Sequence, residues 1–382
     1  MQVTVLGAGR VGAAIARDLA ADEEFEVTVA DVAEGALERL RNVPRLGRVH
    51  ADFGRPEELT RILRDQEVVV GAVPGEMGFS ILRQVLSTDG PPDGRRVVDI
   101  SFFAEDAFEL DALARERGAV VVVDCGIAPG CSNLLLGRLE EEMELERFVC
   151  HVGGLPVERR LPYEYKAPFS PLDVFEEYTR PARLIENGQV VVRPALSEPE
   201  LVEVEGVGTL EAFNTDGLRT LLQTTRVPHV VEKTLRYPGH REKMQLLRDS
   251  GFFSREPVTV GGATVTPLAL TARLLMPLWH YGPGEEDLTA MRVVAEGRED
   301  GRPMRRTFEL VDRYDRATGT SSMARTTGYT CTAAVRLLAS GRWNRPGITP
   351  PETIGRDAAC CRFILDDLAK RRVIFHERRE EL

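Results

Sequence analysis

Gly7-Ala8-Gly9-Arg10-Val11-Gly12 has the G-x-G-x-x-G spacing that suits a pyrophosphate. Such a site needs a tight turn at Gly7 and close backbone approach to a diphosphate at Gly9. It also needs close packing of helix on strand at Gly12. The first N–H groups of the following helix then face the phosphates. Asp31 stands 31 − 12 = 19 residues after Gly12, at the end of a second apolar run. A carboxylate there accepts hydrogen bonds from adenosine ribose hydroxyls and repels a 2′-phosphate. That favours NAD, while Arg41, Arg45 and Arg48 further on leave NADP open. Asp52 follows a third run and can flank an adenine or close a turn. Val73-Pro74 follow the run Glu67 to Ala72, at the edge where the nicotinamide half belongs.

The elements that must position these residues alternate regularly. Apolar runs at Val3–Leu6, Glu26–Ala30, Gly47–Ala51, Glu67–Ala72, Arg96–Ile100 and Ala119–Val123 are separated by helical patterns. Strands apolar on both faces, joined by helices, predict a doubly wound parallel sheet, a Rossmann domain over residues 1–130. After residue 130 a helix at Ser132–Glu142 gives way to hairpin signals. Asn187-Gly188 and Gly261-Gly262 sit between apolar runs, and Ala290–Glu296 and Arg305–Asp312 flank a charged turn. These predict a second α+β domain with a largely antiparallel sheet over residues 131–340. The last helices, from about residue 340 to 382, are expected to return to the first domain, ending in a solvated basic tail.

Composition narrows the function classes. The chain has 382 residues and a net charge of −11, so generic phosphate-backbone binding lacks its electrostatic driver. At ~100–200 residues per domain, two domains is the prior. No apolar stretch approaches the ~20 residues that span a bilayer, and the start carries no secretory pattern. The six cysteines show no paired zinc-ligand spacing, so free thiols in a reducing, cytoplasmic setting are expected. The histidines show no H-x-x-x-H arrangement, and no metal is expected. Of 49 basic residues only Lys166, Lys233, Lys243 and Lys370 are lysines, so lysine chemistry has four candidates.

The segments Asp124-Cys125-Gly126-Ile127-Ala128-Pro129-Gly130, Val152-Gly153-Gly154-Leu155-Pro156, Tyr163-Glu164-Tyr165-Lys166 and Thr234-Leu235-Arg236-Tyr237-Pro238-Gly239-His240 together resemble the saccharopine dehydrogenase family. Glu177-Tyr178-Thr179-Arg180-Pro181-Ala182, Glu211–Gly217 and Met323–Thr330 look closer to its lysine 6-dehydrogenases. The resemblance implies an NAD(P)-dependent oxidoreductase acting at a carbon–nitrogen bond of an amino acid, and a homodimer or larger homo-oligomer. Saccharopine-handling members carry Arg in an Asn-Arg-Asp-Ser stretch where this chain has Asn214-Thr215-Asp216-Gly217. Loss of that cation favours a smaller amino acid. Asp99-Ile100-Ser101-Phe102-Phe103 also departs from the Asp-Leu-Gly-Gly pattern associated with lysine 6-dehydrogenases, its two phenylalanines reshaping the expected pocket.

Amine oxidation needs a proton acceptor, because the ammonium must be neutral before hydride leaves. Asp124 ends the valine run Val120–Val123, at a carboxyl strand edge. Partial desolvation there would make it a stronger base, and a turn-forming role is equally open. The resemblance raises Arg236 as a substrate-carboxylate fork and His240 as a proton carrier. It also carries over Tyr165 as a substrate-contacting group and Lys166 as a catalytic candidate, which could contact the substrate carboxylate or lower its own pKa by burial. Ser101 can touch the nicotinamide or the substrate, and Asp216 can pair a substrate ammonium or close a turn.

Overall fold

The structure, a computed structural model, describes residues 1–167, 171–282 and 284–382. The chain divides into two compact units: Met1–Glu142 with Ala324–Ile374, and Met143–Met323 with Phe375–Leu382.

In sequence order the first unit contains β1 (Gln2–Leu6), α1 (Arg10–Ala20), β2 (Glu26–Asp31), α2 (Glu34–Glu38), β3 (Leu46–His50) and α3 (Pro56–Leu63). It continues with β4 (Val68–Gly71), α4 (Gly75–Ser87), β5 (Arg96–Asp99), α5 (Asp111–Glu116), β6 (Val120–Val122) and α6 (Cys131–Glu142). The second unit begins with β7 (Glu144–Pro156), α7 (Pro171–Thr179), β8 (Ala182–Glu186), β9 (Gln189–Arg193), β10 (Glu200–Val204) and β11 (Gly208–Asn214). Next come α8 (Leu221–Thr224), β12 (His229–Arg236), α9 (His240–Asp249), β13 (Val258–Val260) and β14 (Ala263–Val265). After them lie α10 (Pro267–Trp279), β15 (Asp287–Glu299) and β16 (Arg302–Arg313). The last elements are α11 (Ser322–Ala339), β17 (Gly347–Thr349), α12 (Pro351–Gly355), α13 (Ala358–Lys370) and β18 (His376–Glu381).

The first unit is the expected doubly wound sheet. Among the described residues its strand order is β3-β2-β1-β4-β5-β6-β17, with every pair parallel. The order reverses between β1 and β4, the switch point where such sheets open a crevice at their carboxyl edge. Strands β4 and β6 are buried along their whole length, as a sheet covered by helices on both faces requires. Val69, Val97 and Val121 pack there with Leu82 and Val85 of α4.

The second unit holds a mixed sheet in the order β10-β11-β12-β7-β15-β16-β18, with β8 and β9 attached beside β12. Its pairs are antiparallel except β12 with β7. Asn187 and Gly188 link β8 to β9 at φ 50° and 72°, the pair of positive φ values a primed hairpin turn demands. Asp300 and Gly301 do the same between β15 and β16 at 52° and 78°. Trp279, fully buried, centres an apolar cluster with Tyr165, Phe175, Tyr178 and Phe253.

Three expectations shift. The division falls after Glu142 and not after residue 130, because α6 packs within the first unit. The polypeptide re-enters that unit at Ala324 and not near residue 340, bringing β17, a short strand hidden among prolines, onto β6. The terminal segment is not a loose tail. Arg378 and Arg379 lie in β18, paired with β16 in the second unit.

Candidate functional site

The first unit gathers the glycine loop, Asp31, Asp52, Val73, Pro74, Ser101 and Asp124 at the carboxyl ends of its parallel strands. Gly7 has φ 109°, and a Cβ there would lie 2.3 Å from the Ala72 carbonyl oxygen. A Cβ at Gly12 would lie 2.1 Å from the Gly7 carbonyl oxygen. Gly9 is exposed, and a Cβ there would meet nothing within 4 Å. Two glycines are thus forced by the turn itself, while the third faces open space where a diphosphate can approach. Ala8 is buried beneath this loop, and Arg10 and Val11 open α1, which has no acidic residue in its first turn. An anion at this helix start meets N–H groups and no carboxylate of the helix. The residues fit a dinucleotide.

Asp31 ends β2 and accepts from the Ala8 N–H at 2.6 Å and the Ala33 N–H at 2.7 Å, one through each oxygen. The carboxylate thereby ties the glycine loop to the β2 edge. Asp52 accepts from the Gly54 N–H at 2.9 Å and faces Arg55 at 3.5 Å, so its turn role is the one observed. Val73 is buried and Pro74 precedes α4, directly beside the loop. Asp124 follows β6 at φ 50° and is 3% exposed. A non-glycine residue in that left-handed region, buried at a strand's carboxyl edge, is a strained position of the kind active sites hold. The neighbouring thiols are no rivals as nucleophiles: burial pushes Cys131 up to about 12 and Cys125 up as well.

Tyr165, Arg236 and His240 meet in the second unit; Arg236 and His240 are held by partners inside the fold, whereas the buried Tyr165 hydroxyl has no hydrogen-bond partner among the described residues. Arg236 is 2% exposed; its Nη2 donates to Glu177 Oε2 at 2.5 Å and its Nη1 to the Leu235 carbonyl at 2.9 Å. Its guanidinium also lies 4.6 Å from the Tyr165 ring centre. Burial opposes its charge, but Tyr178, Tyr165 and Glu177 outweigh that and hold the guanidinium protonated. The Tyr178 hydroxyl receives Arg236 Nε at 3.4 Å and donates to His240 Nε2 at 2.9 Å. His240 Nδ1 donates to the Tyr163 carbonyl at 3.0 Å. Those partners fix the neutral tautomer with its proton on Nδ1. Burial, with Arg236 adding to it, drives His240 down to about 3, so it does not carry protons near neutrality. The expected proton carrier is a structural link.

The remaining two candidates also have partners inside the fold. Lys166 Nζ donates to Glu285 Oε2 at 2.6 Å and to the His280 carbonyl at 2.8 Å. Asp216 is 4% exposed and takes a forked pair from Arg183, Nε at 2.8 Å and Nη2 at 2.7 Å, so its charge serves the fold. The sequence reading missed Glu177 and Tyr178 as the partners of Arg236 and His240. Both stand in a recognised segment, yet no spacing relates residues 177 and 236. It also missed Asp99, buried at the end of β5.

The fold and the carboxyl-edge site define an NAD(P)-dependent oxidoreductase whose dinucleotide lies on a doubly wound sheet. The sequence matches the Saccharopine dehydrogenase NADP binding domain over residues 3–122 and the Saccharopine dehydrogenase C-terminal domain over residues 126–374. It belongs to the saccharopine dehydrogenase family. It is similar to the saccharopine dehydrogenase (NADP(+), L-glutamate-forming) of Schizosaccharomyces pombe, 22% identical over 98% of both chains. It is 24% identical to the mitochondrial alpha-aminoadipic semialdehyde synthase of Bos taurus over 92% of this chain, spanning 45% of that protein. The apo histidine-tagged saccharopine dehydrogenase (L-Glu forming) from Saccharomyces cerevisiae shares the fold, with a TM-score of 0.80 and 21% identity over 99% of each chain.

Proposed function

We propose that the protein oxidises the terminal amine carbon in the side chain of an amino acid, breaking its C–NH2 bond in the manner of a lysine 6-dehydrogenase. L-Lysine, NAD and water would give 2-aminoadipate 6-semialdehyde, ammonia, NADH and a proton. The bound nicotinamide supplies the hydride acceptor. Asp124, buried at the carboxyl edge, is the group of this protein suited to take the ammonium proton first. The observation that carries the choice of substrate is at Thr215. Where saccharopine-handling members carry Arg, Thr215 is 4% exposed and its hydroxyl bonds Thr234 Oγ1 at 2.9 Å. Where they carry Ser, Gly217 lets the Glu232 carboxylate pack against the backbone, a Cβ there falling 1.5 Å from Glu232 Oε1. The segment offers no cation for a second carboxylate arm.

The same reading takes NAD over NADP. Positions 32–35 after Asp31 are Val, Ala, Glu and Gly, with Glu34 exposed in the first turn of α2. The arginines that left NADP open are engaged elsewhere. Arg41 pairs with Glu38 at 2.7 Å, Arg45 donates to the Ala20 carbonyl at 2.7 Å, and Arg48 faces Glu38 at 3.5 Å. A second reading, a saccharopine-type enzyme that cleaves or forms a secondary amine, is supported by relatives of that name matched along nearly their whole length. Absorbance at 340 nm separates the two. Lysine with NAD should produce reduced cofactor, and saccharopine should not. Turnover of saccharopine with NADP, and none of lysine, would replace the first reading with the second.

A further inference from the structure

Asp99 ends β5, is 2% exposed and had no part in the sequence reading of the site. Its Oδ1 accepts from the Ser101 N–H at 2.8 Å, and its Oδ2 lies 3.5 Å from Ser101 Oγ, itself 2% exposed. The neighbouring elements are shaped to admit this pair. Gly71 ends β4, and a Cβ there would fall 1.8 Å from Asp99 Oδ2. Gly78 lies in α4, and a Cβ there would fall 2.5 Å from Ser101 Cβ and 2.9 Å from the Phe103 ring. A buried carboxyl is costly to keep, and here two separate elements give up their side chains to seat it and the serine it holds.

The chemistry of the pair is directional. An ionised carboxylate only accepts, so the Ser101 hydroxyl donates its proton to Asp99. Its lone pairs then remain to accept an N–H from a ligand. The strand order says which N–H. The glycine loop follows β1 and Asp31 closes β2, so the adenosine half lies on the β2 side. The other half must run across β4 toward β5, roughly 10 Å from β1 at ~4.8 Å per strand.

We propose that Asp99 is a positioning residue: it fixes Ser101 as the acceptor for the carboxamide N–H of the bound nicotinamide. The role rests on the dinucleotide reading of this edge. Calorimetric titration with NADH and with ADP-ribose, which lacks the nicotinamide, tests it without any substrate; NADPH and its 2′-phosphorylated counterpart serve if those bind tighter. Asp99→Asn puts an N–H donor against Ser101 and turns the hydroxyl outward. It and Ser101→Ala should each weaken NADH about tenfold, the effect of one hydrogen bond. ADP-ribose should stay within about twofold, and the double variant should be no weaker than the worse single one. Asp99→Ser makes the same prediction should the asparagine variant fail to fold. Parallel losses for both ligands, or additive losses in the double variant, overturn the proposal. Wild-type protein that binds ADP-ribose and NADH equally tightly overturns it too, while leaving the dinucleotide reading intact. Binding of neither ligand overturns both.

Discussion

The carboxyl edge of the first unit and the aromatic cluster of the second hold equally polar side chains, yet they use them oppositely. At the edge, side chains bond backbone: Asp31 holds Ala8 and Ala33, and Asp99 holds Ser101. Those bonds fix loops while Gly9 stays open to a ligand. In the cluster, side chains also bond each other: Glu177, Arg236, Tyr178 and His240 form one series, anchored on the Leu235 and Tyr163 carbonyls. A residue type that suits catalysis therefore says little by itself. What matters is whether its hydrogen-bonding capacity is already consumed inside the fold.

The largest effect should come from the edge. In Gly12→Ala the new Cβ would sit 2.1 Å from the Gly7 carbonyl, so the turn must move. Misplacement on that scale costs on the order of 100-fold in a positioned site. Turnover should drop accordingly, dinucleotide affinity measured by calorimetry should fall with it, and the thermal midpoint should fall too, because overpacking costs about 1–3 kcal/mol. A variant that binds as well as the parent would remove the glycine loop from the site.

The cluster should answer with stability and not with binding. Arg236→Ala leaves the partly buried Glu177 without its guanidinium, which should cost about 1–3 kcal/mol. Replacing both, as Glu177→Gln with Arg236→Met, should recover much of that loss in denaturant unfolding. Equal losses for the single and double variants would show that the ion pair is not the source.

This contrast explains what the sequence could disclose. The glycine loop, Asp31 and the primed turn at Asn187-Gly188 are local: a few adjacent residues determine the backbone, so spacing reveals them. Asp99 also ends a legible strand, but its seat is made by Gly71 and Gly78, on neighbouring elements that spacing does not relate to it. Arg236 and Glu177 are 59 residues apart and meet only through packing. Strand β17, three residues long, lacks the length to show any period.

Titration gives a smaller, graded effect. His240 stays neutral in the folded protein down to about 3, whereas its unfolded value is 6.5. Below 6.5 the unfolded state binds a proton that the folded state refuses. Stability from this group is therefore complete above 6.5 and is lost as pH falls toward 3, at about 1.4 kcal/mol per pH unit. Unfolding free energies at pH 7 and pH 5 should differ more for the parent than for His240→Gln, by about 2 kcal/mol. An identical pH slope in the two would mean that the imidazole takes up a proton in the folded state, and would reopen its role as a proton carrier.

The smallest effect is expected at Lys166, the one lysine within a recognised segment. Its ammonium holds the Glu285 carboxyl below the usual range, chiefly through their hydrogen bond, and the pair is partly solvated, at 16% and 20% side-chain exposure. A partly exposed pair contributes about 0–1 kcal/mol. Lys166→Met should lower the thermal midpoint slightly and leave both dinucleotide affinity and turnover near those of the parent. The His280 carbonyl, which Lys166 Nζ also reaches at 2.8 Å, then loses a donor at a site where water can replace it. A Lys166→Met protein that folds normally but loses turnover more than about tenfold, well beyond what a solvated ion pair supplies, would show that the cation acts on the substrate. Consumed and available groups could then no longer be told apart by their hydrogen bonds alone, and the contrast between the two regions would fail at this residue first.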